Sequence, residues 1–390
     1  MNNVNASPED HNSPTTTTPY PKTQDRRLDF THKTNQETVH QRLIDLASTG
    51  VATPIVAELD LTTYCDYECP ECISSSLLST VHLTDSEIDK IINTLFNLQI
   101  KAVILTGGGE PLRHHAAVKV IDKLSSEGIK VGLVTNGLLV NKIPTKSLEK
   151  LDWIRISLDA ATVTTYLRYR PHRLGQTAYK KVLDNIEYAS NYAKAVGVSF
   201  VVLTRHNSDK TIDNINEIEE CARIAKDKGA SYLNVKAMEL PNHHLYRYSK
   251  QDISRIRNSL IASKRRYVDD KFDIIVSSNL DEIINRNGLV RQDKKYRRCL
   301  SSALRVTITS KGVFPCSYHR GNLKLNYNPR RDYDSLDEIL SYPHLPEVNP
   351  SVDCPFFCAR HYANLSLESQ LKTLTDDKLF TPNKDWDLFL

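Results

Sequence analysis

Three cysteines crowd one short stretch, Thr63-Tyr64-Cys65-Asp66-Tyr67-Glu68-Cys69-Pro70-Glu71-Cys72, in a Cys-x3-Cys-x2-Cys spacing. Three thiolates together are soft ligands for iron–sulfur or zinc. A closed structural zinc site needs a fourth ligand nearby, and the next histidine downstream is His82. A four-iron cluster can instead use three thiolates and keep one iron open, which makes it a reactant rather than a staple. Four further cysteines, Cys299, Cys316, Cys354 and Cys358, follow a Cys-x16-Cys-x37-Cys-x3-Cys pattern. Four thiolates complete either a [4Fe–4S] cluster or a tetrahedral zinc site. The eighth cysteine, Cys221, lies in a stretch with Ile215, Ile218, Ala222 and Ala225 at helical spacing. It reads as a small buried hydrophobe. A role as hydrogen-atom donor to a substrate is not expected of it.

The first trio must be placed by the elements around it. Alternating apolar runs predict strands over 55–62, 101–107, 130–137, 153–160, 196–204 and 231–240. Helical periodicity predicts helices over 85–98 (capped by Thr84 or Asp85), 114–128, 146–151, 178–195 and 211–229. Strand–helix alternation implies a parallel sheet with right-handed crossovers. Six units suit a partial (β/α)6 barrel, whose chemistry belongs at the C-terminal ends of the strands. The trio follows the first strand. Gly107-Gly108-Gly109-Glu110-Pro111 follows the second, Asn136-Gly137 the third, and Ser157-Leu158-Asp159 the fourth. Taken alone, the glycine run could be a tight turn, Asn136 a turn former, and Ser157 and Asp159 a helix cap.

Together these strand ends resemble the radical S-adenosylmethionine (SAM) superfamily over about residues 52–240. The resemblance implies that Cys65, Cys69 and Cys72 hold a [4Fe–4S] cluster whose open iron chelates SAM. Reductive cleavage of SAM then gives methionine and a 5′-deoxyadenosyl radical that abstracts a substrate hydrogen. It implies that Gly108, Gly109 and Glu110 receive the SAM amino group, that Asn136, Ser157 and Asp159 line the cofactor site, and that Arg170 pairs with the SAM carboxylate, with Arg168 and Arg173 as competitors. One departure is Glu71, where relatives often carry an aromatic residue. The segments around Cys316 and Cys354–Cys358 resemble the SPASM and twitch extensions of this superfamily. Four cysteines suit the twitch form with a single auxiliary [4Fe–4S] cluster, expected to accept the electron left after hydrogen abstraction.

The expected organisation is a disordered tail (1–26), a helical lead-in (27–51, with a helix over 35–48 whose apolar positions are Val39, Leu43, Ile44 and Leu46), the partial barrel (52–240), a linker and helical segment (241–290) and an auxiliary-cluster domain of α+β type (291–390). The linker should hold a helix over 252–270 and a strand over 272–278. A hairpin over 303–318 turns at Lys311-Gly312, and helices are expected at 335–342 and 366–374. With 40% hydrophobic and 25% charged residues the composition is that of a globular protein. No apolar run is long enough to span a membrane. The N-terminal stretch lacks a secretory signal's apolar core, so the cytoplasm is the expected location. The net charge is +4, and the run Arg291–Arg298, with Lys294, Lys295, Arg297 and Arg298, reads as a solvated face. That pattern is not the broad basic surface of a nucleic-acid binder.

The expected function is a radical SAM oxidoreductase acting on a small molecule (a sugar, cyclitol or other biosynthetic intermediate), reduced by an electron donor such as flavodoxin or ferredoxin. A peptide-modifying maturase is the rival enzyme reading. An inert iron–sulfur or zinc protein is the non-enzyme reading.

Overall fold

The computed structural model describes residues 28, 30–207, 210–240, 243–288, 290, 292–296, 298–341, 348–375 and 382–390. The expected tail, and Arg291 and Arg297 of the basic run, lie outside the described residues. Among the described residues there are eleven strands: β1 Val56–Asp60, β2 Ala102–Thr106, β3 Lys130–Thr135, β4 Trp153–Ser157, β5 Val196–Val202, β6 Thr204–Asn207, β7 Lys210–Asp213, β8 Tyr232–Ala237, β9 Asp273–Val276, β10 Arg305–Thr309 and β11 Gly312–Phe314. Nine of them form one sheet in the order β11-β10-β1-β2-β3-β4-β5-β8-β9, while β6 and β7 make a separate hairpin. Every pairing in the large sheet is parallel except β10–β11.

Side chains alternate across a strand, and the two faces here differ in chemistry. Ala57, Leu59, Val103, Leu105, Ile154, Ile156, Val198, Phe200, Leu233 and Val235 pack outward in one core. The helix Asp85–Asn97 contributes Ile88, Ile91, Ile92 and Leu95 to it. That helix opens on Thr84 with a complete capping box to Glu87, as Ser/Thr-x-x-Glu predicts. The inward face carries Glu58, Arg155, Ser157, Ser199, Asn234 and Lys236, which line a cavity.

The six expected strands are β1, β2, β3, β4, β5 and β8, but the sheet is wider than six. β9 adds a seventh parallel strand from the stretch read as a linker. The hairpin of the C-terminal region adds β10 in parallel to the free edge of β1, with Val56 opposite Arg305 and Asp60 opposite Thr309. Pairing between strands so distant in sequence leaves no local signal. The hairpin turns as expected at Gly312, whose φ is +135°.

Three local expectations need correction. The predicted helix over 211–229 begins only at Ile218, after β7 and a single 3₁₀ turn at Ile215–Glu217. Asn214 is the reason. Its fully buried amide bonds to the Leu203 N–H and to the carbonyls of Asp159 and Val201, and this fixes the chain in a turn. Ile44, expected on the apolar face of the lead-in helix, is exposed, while Val39, Leu43 and Leu46 are buried. Lys294 is no part of a solvated face. It is buried, and its ammonium donates to the carbonyls of Cys354, at 2.7 Å, and Phe356. Lys295 is exposed and paired with Asp293.

The lower end of the sheet is closed by the chain's own C-terminal residues. Leu388, Phe389 and Leu390 are buried with Val56, Ala102, Ile104 and Leu304, and the Phe389 ring meets Trp153 edge-on at 5.3 Å. Lys33 holds this segment through the Phe389 carbonyl at 2.7 Å and Asp387 at 2.9 Å. No helix among the described residues is long and apolar enough to cross a membrane.

Candidate active site

A cavity of about 500 Å³ opens at the C-terminal ends of the strands. Cys65, Cys69 and Cys72 line it, together with Gly108, Gly109, Glu110, Asn136, Ser157, Asp159 and Arg170. The structure thus brings the sequence-selected residues of the first cluster to one mouth. Cys221 is fully buried in the core away from it.

The loops at this mouth are tied to one another. The Glu110 N–H donates to the Tyr64 carbonyl at 2.8 Å, which joins the glycine run to the cysteine loop. A Cβ on Gly109 would overlap the Tyr64 carbonyl, so only glycine fits there. The Gly108 N–H donates to Asp60 at the end of β1, at 3.1 Å. Glu110 accepts from the Asn136 N–H at 2.7 Å and from the Thr135 hydroxyl at 2.6 Å. Burial outweighs these bonds and lifts the Glu110 carboxyl to about 7. The Asn136 amide donates to Asp66, inside the cysteine loop, at 2.9 Å, and its oxygen accepts from the Leu138 N–H. It is therefore both turn former and bridge.

Asp159 holds a left-handed backbone, φ +63°, which is strained for a non-glycine residue. Its carboxylate takes the Val201 N–H at 2.8 Å and pairs with Arg170 at 2.6 Å. Arg170 faces the cavity and stacks over Tyr67, 5.2 Å from the ring centre. Its competitors Arg168 and Arg173 are exposed. Glu71, the unusual residue before the third cysteine, is buried and ion-paired with Arg205 of β6.

The second set of thiols gathers where the C-terminal hairpin meets the last helix. Cys299 precedes the helix Leu300–Leu304, Cys316 follows β11, and Cys354 and Cys358 precede the helix His361–Thr375. Burial pushes all four thiols up, Cys316 to about 12, and the charge of neighbouring thiols adds to this for Cys316, Cys354 and Cys358. Burial likewise lifts Cys65 to about 12 and raises Cys69. Unmetallated, such thiols stay protonated at neutral pH. The donor chemistry therefore fits a positively charged iron cluster that stabilises thiolates. Among the described residues no three His, Cys, Asp or Glu side chains are drawn together enough to hold a single ion. In a cubane each thiolate ligates its own iron.

Several groups in the site escaped the sequence reading. Arg320, four residues after Cys316, pairs with Asp60 at 2.6 Å and Glu58 at 2.8 Å, and Arg305 also binds Glu58. Burial would raise Glu58, but Arg305 and Arg320 outweigh it and hold the carboxyl at about 2. Arg155, Asn234, Lys236 and Glu239 also line the cavity. The available signal was polar residues at alternate positions in strands that otherwise read as apolar.

Comparison with known proteins agrees with this geometry. Residues 59–231 match the family model "Radical SAM superfamily". The chain is 28% identical over 193 residues to the mycofactocin maturase MftC of Mycobacterium ulcerans, covering 49% of each protein. It is 27% identical to MftC of Mycolicibacterium smegmatis, covering 49% of this chain and 46% of that one. The chain thus spans about half the length of these curated relatives. SuiB of Streptococcus suis, solved with precursor peptide SuiA, superposes with TM-score 0.58 at 16% identity, over 79% of this chain and 69% of SuiB. The enzyme anSMEcpe, solved with AdoMet and the Cp18Cys peptide, gives TM-score 0.54 at 15% identity, over 74% of this chain and 81% of that one. These likenesses establish the fold. With the match across 59–231 and the thiol trio at the mouth of its sheet, this segment of the chain is similar to the radical SAM superfamily, whose members use a [4Fe–4S] cluster and SAM.

Proposed function

We propose that this protein is a radical SAM enzyme that modifies a peptide. The observation that carries the radical chemistry is the convergence of Cys65, Cys69, Cys72, the glycine run and Glu110 on one cavity mouth. The peptide reading is supported by the relatives: SuiB and anSMEcpe were captured with peptides, and MftC is a maturase. A small-molecule substrate, as expected from sequence, has weaker support in the likeness to a probable GTP 3′,8-cyclase of Thermococcus kodakarensis, 27% identical over 40% of this chain, and becomes the competing outcome of the test.

Cys65, Cys69 and Cys72 would hold the SAM-binding cluster, and Cys299, Cys316, Cys354 and Cys358 an auxiliary one. Bound together, the first cluster and SAM supply a one-electron cleavage that yields a 5′-deoxyadenosyl radical. The chain's own groups do the rest. Backbone carbonyls of the glycine run and the Glu110 carboxylate would receive the SAM ammonium, and that positive charge would keep Glu110 ionised at neutral pH. Asn136 holds Glu110 and the cysteine loop in register. Ser157 and Asp159 would face the ribose, with Arg170 steadying Asp159 and reaching the SAM carboxylate. The strand walls would shield the radical from solvent. The reducing electron would come from a small redox protein such as flavodoxin or ferredoxin.

Oxygen-free reconstitution should load about eight irons per chain, as two four-iron clusters require. Dithionite and SAM should then release 5′-deoxyadenosine. Cys65→Ala should abolish that product and cut the iron to about four. Deuterated short peptides and deuterated sugars and cyclitols, offered in parallel, decide the substrate class. Label entering 5′-deoxyadenosine from a peptide supports the proposal, and label entering only from the small molecules overturns it.

A further inference from the structure

The inner face of β4, β5 and β8 carries two cations that the SAM site does not use. Register places Arg155 opposite Gly197, and Gly197 opposite Tyr232, in a lower row. Ser157, Ser199 and Asn234 share the middle row. Val201 and Lys236 are opposite one another in the upper row. Arg155, Ser199, Asn234 and Lys236 all line the cavity. The Gly197 position, without a Cβ, is filled by the Tyr232 ring, which leaves the long Arg155 side chain the space beside it.

The carboxylates on these walls have partners, while Arg360 sits over the Phe30 ring, 4.8 Å from its centre. Glu58 and Asp60 are bound by Arg320, Asp159 by Arg170, and Glu71 by Arg205. Glu239 accepts hydrogen bonds from Tyr318 at 3.3 Å and Asn279 at 3.0 Å. Arg155 and Lys236 differ. Arg155 Nε is buried with no hydrogen-bond partner, and the guanidinium lies over the face of Trp153, at 5.8 Å. Lys236 makes no hydrogen bond or ion pair with any described residue. Burial and the Arg155 charge together lower its ammonium to about 8. Asp159 and Glu239 are near enough to favour the Lys236 charge, but they are already bound by Arg170 and by Tyr318 and Asn279. Two like charges on one cavity wall remain costly, and an anion shared between them lowers that cost.

We propose that Arg155 and Lys236, with Ser199 and Asn234 between them, form a subsite for a carboxylate of the substrate, set across the cavity from the glycine run and Glu110. The assignment of a carboxylate rests on the peptide reading above, because carboxylates are the anions of an unmodified peptide. Its source is an acidic side chain or a free C terminus. A guanidinium and an ammonium together offer donors to both carboxylate oxygens. The enzyme would then select peptides by a fixed negative charge near the carbon that loses hydrogen.

The test uses the reconstituted full chain with SAM and three probe peptides in calorimetric titration: acetyl-Ala-Glu-Ala-amide, acetyl-Ala-Ala-Ala with a free carboxylate, and the neutral acetyl-Ala-Gln-Ala-amide. One acidic probe should bind at least about tenfold tighter than the neutral one, as charge-assisted hydrogen bonds allow. Which acidic probe binds identifies the source. Lys236→Gln and Arg155→Gln should each erase that preference, and Lys236→Arg should restore it in a folded protein. The SAM affinity of all three variants should match wild type. Equal binding of all three probes by wild type, or a preference surviving in both glutamine variants, overturns the proposal. So does a comparable loss of SAM affinity, which would give the subsite to the SAM carboxylate. Formation of 5′-deoxyadenosine by the same wild-type preparation reports separately on the radical reading.

Discussion

At the scale of single residues the cavity holds groups kept in costly states. Lys236 is the clearest. In the unfolded chain its ammonium titrates near the ordinary 10.5, and in the fold near 8. Below about pH 8 both states are protonated and the folded state bears the full cost of the buried charge. Between about 8 and 10.5 the folded state sheds the proton first, so stability from this group rises with pH across that window. Lys236→Gln should therefore stabilise the protein at pH 7, by about 2 kcal/mol in urea unfolding, with the gain shrinking towards pH 10.5. A gain in stability beside a loss of binding is the signature of a residue kept for function. No gain at pH 7 would mean that a partner already neutralises the charge.

At the scale of elements the glycine run is a joint between strands. Gly109 lies against the Tyr64 carbonyl, and Gly108 donates to Asp60. Gly109→Ala forces the two loops apart. It should lower SAM affinity at least about a hundredfold, because displaced groups lose several hydrogen bonds at once. The auxiliary iron should be unaffected. Asp60 is in turn held by Arg320, in the segment that follows the C-terminal hairpin. Arg320→Gln leaves buried carboxylates short of a charge and should cost about 3 kcal/mol of stability. SAM binding should weaken with it, and Arg320→Lys should restore binding in part. If SAM affinity is unchanged in Arg320→Gln, the hairpin braces the sheet without shaping the cofactor loop.

At the scale of the whole molecule residues 37–49 and 388–390 pack against the lower part of the sheet and its flanking helices. Leu388, Phe389 and Leu390 plug the lower end of the sheet, and the lead-in helix Glu37–Thr49 packs beside the helix His361–Thr375. Phe389→Ala should cost about 3–4 kcal/mol, the usual penalty for emptying a buried aromatic site. Removing the last three residues should cost about 5–8 kcal/mol through lost apolar burial. Urea unfolding followed by tryptophan fluorescence reads both changes, since Trp153 is the aromatic partner of Phe389.

The sequence by itself determined what depends on local spacing. The thiol trio after the first strand, the glycine run after the second, and the alternation of strands and helices are set by neighbours in the chain, and period and turn chemistry reveal them. Cys221 was readable as core for the same reason. Tertiary structure alone decided what depends on distant pairing. β10 reaches the edge of β1 across some 250 residues, so the C-terminal region enters the main sheet. The pairing of Arg320 with Asp60, the burial of Lys294 beneath the Cys354 loop and the placing of Arg155 and Lys236 on one cavity wall arise from packing. A sequence shows that a charge exists, but whether that charge meets solvent, a counter-ion or a cavity wall is fixed only when the strands are in register.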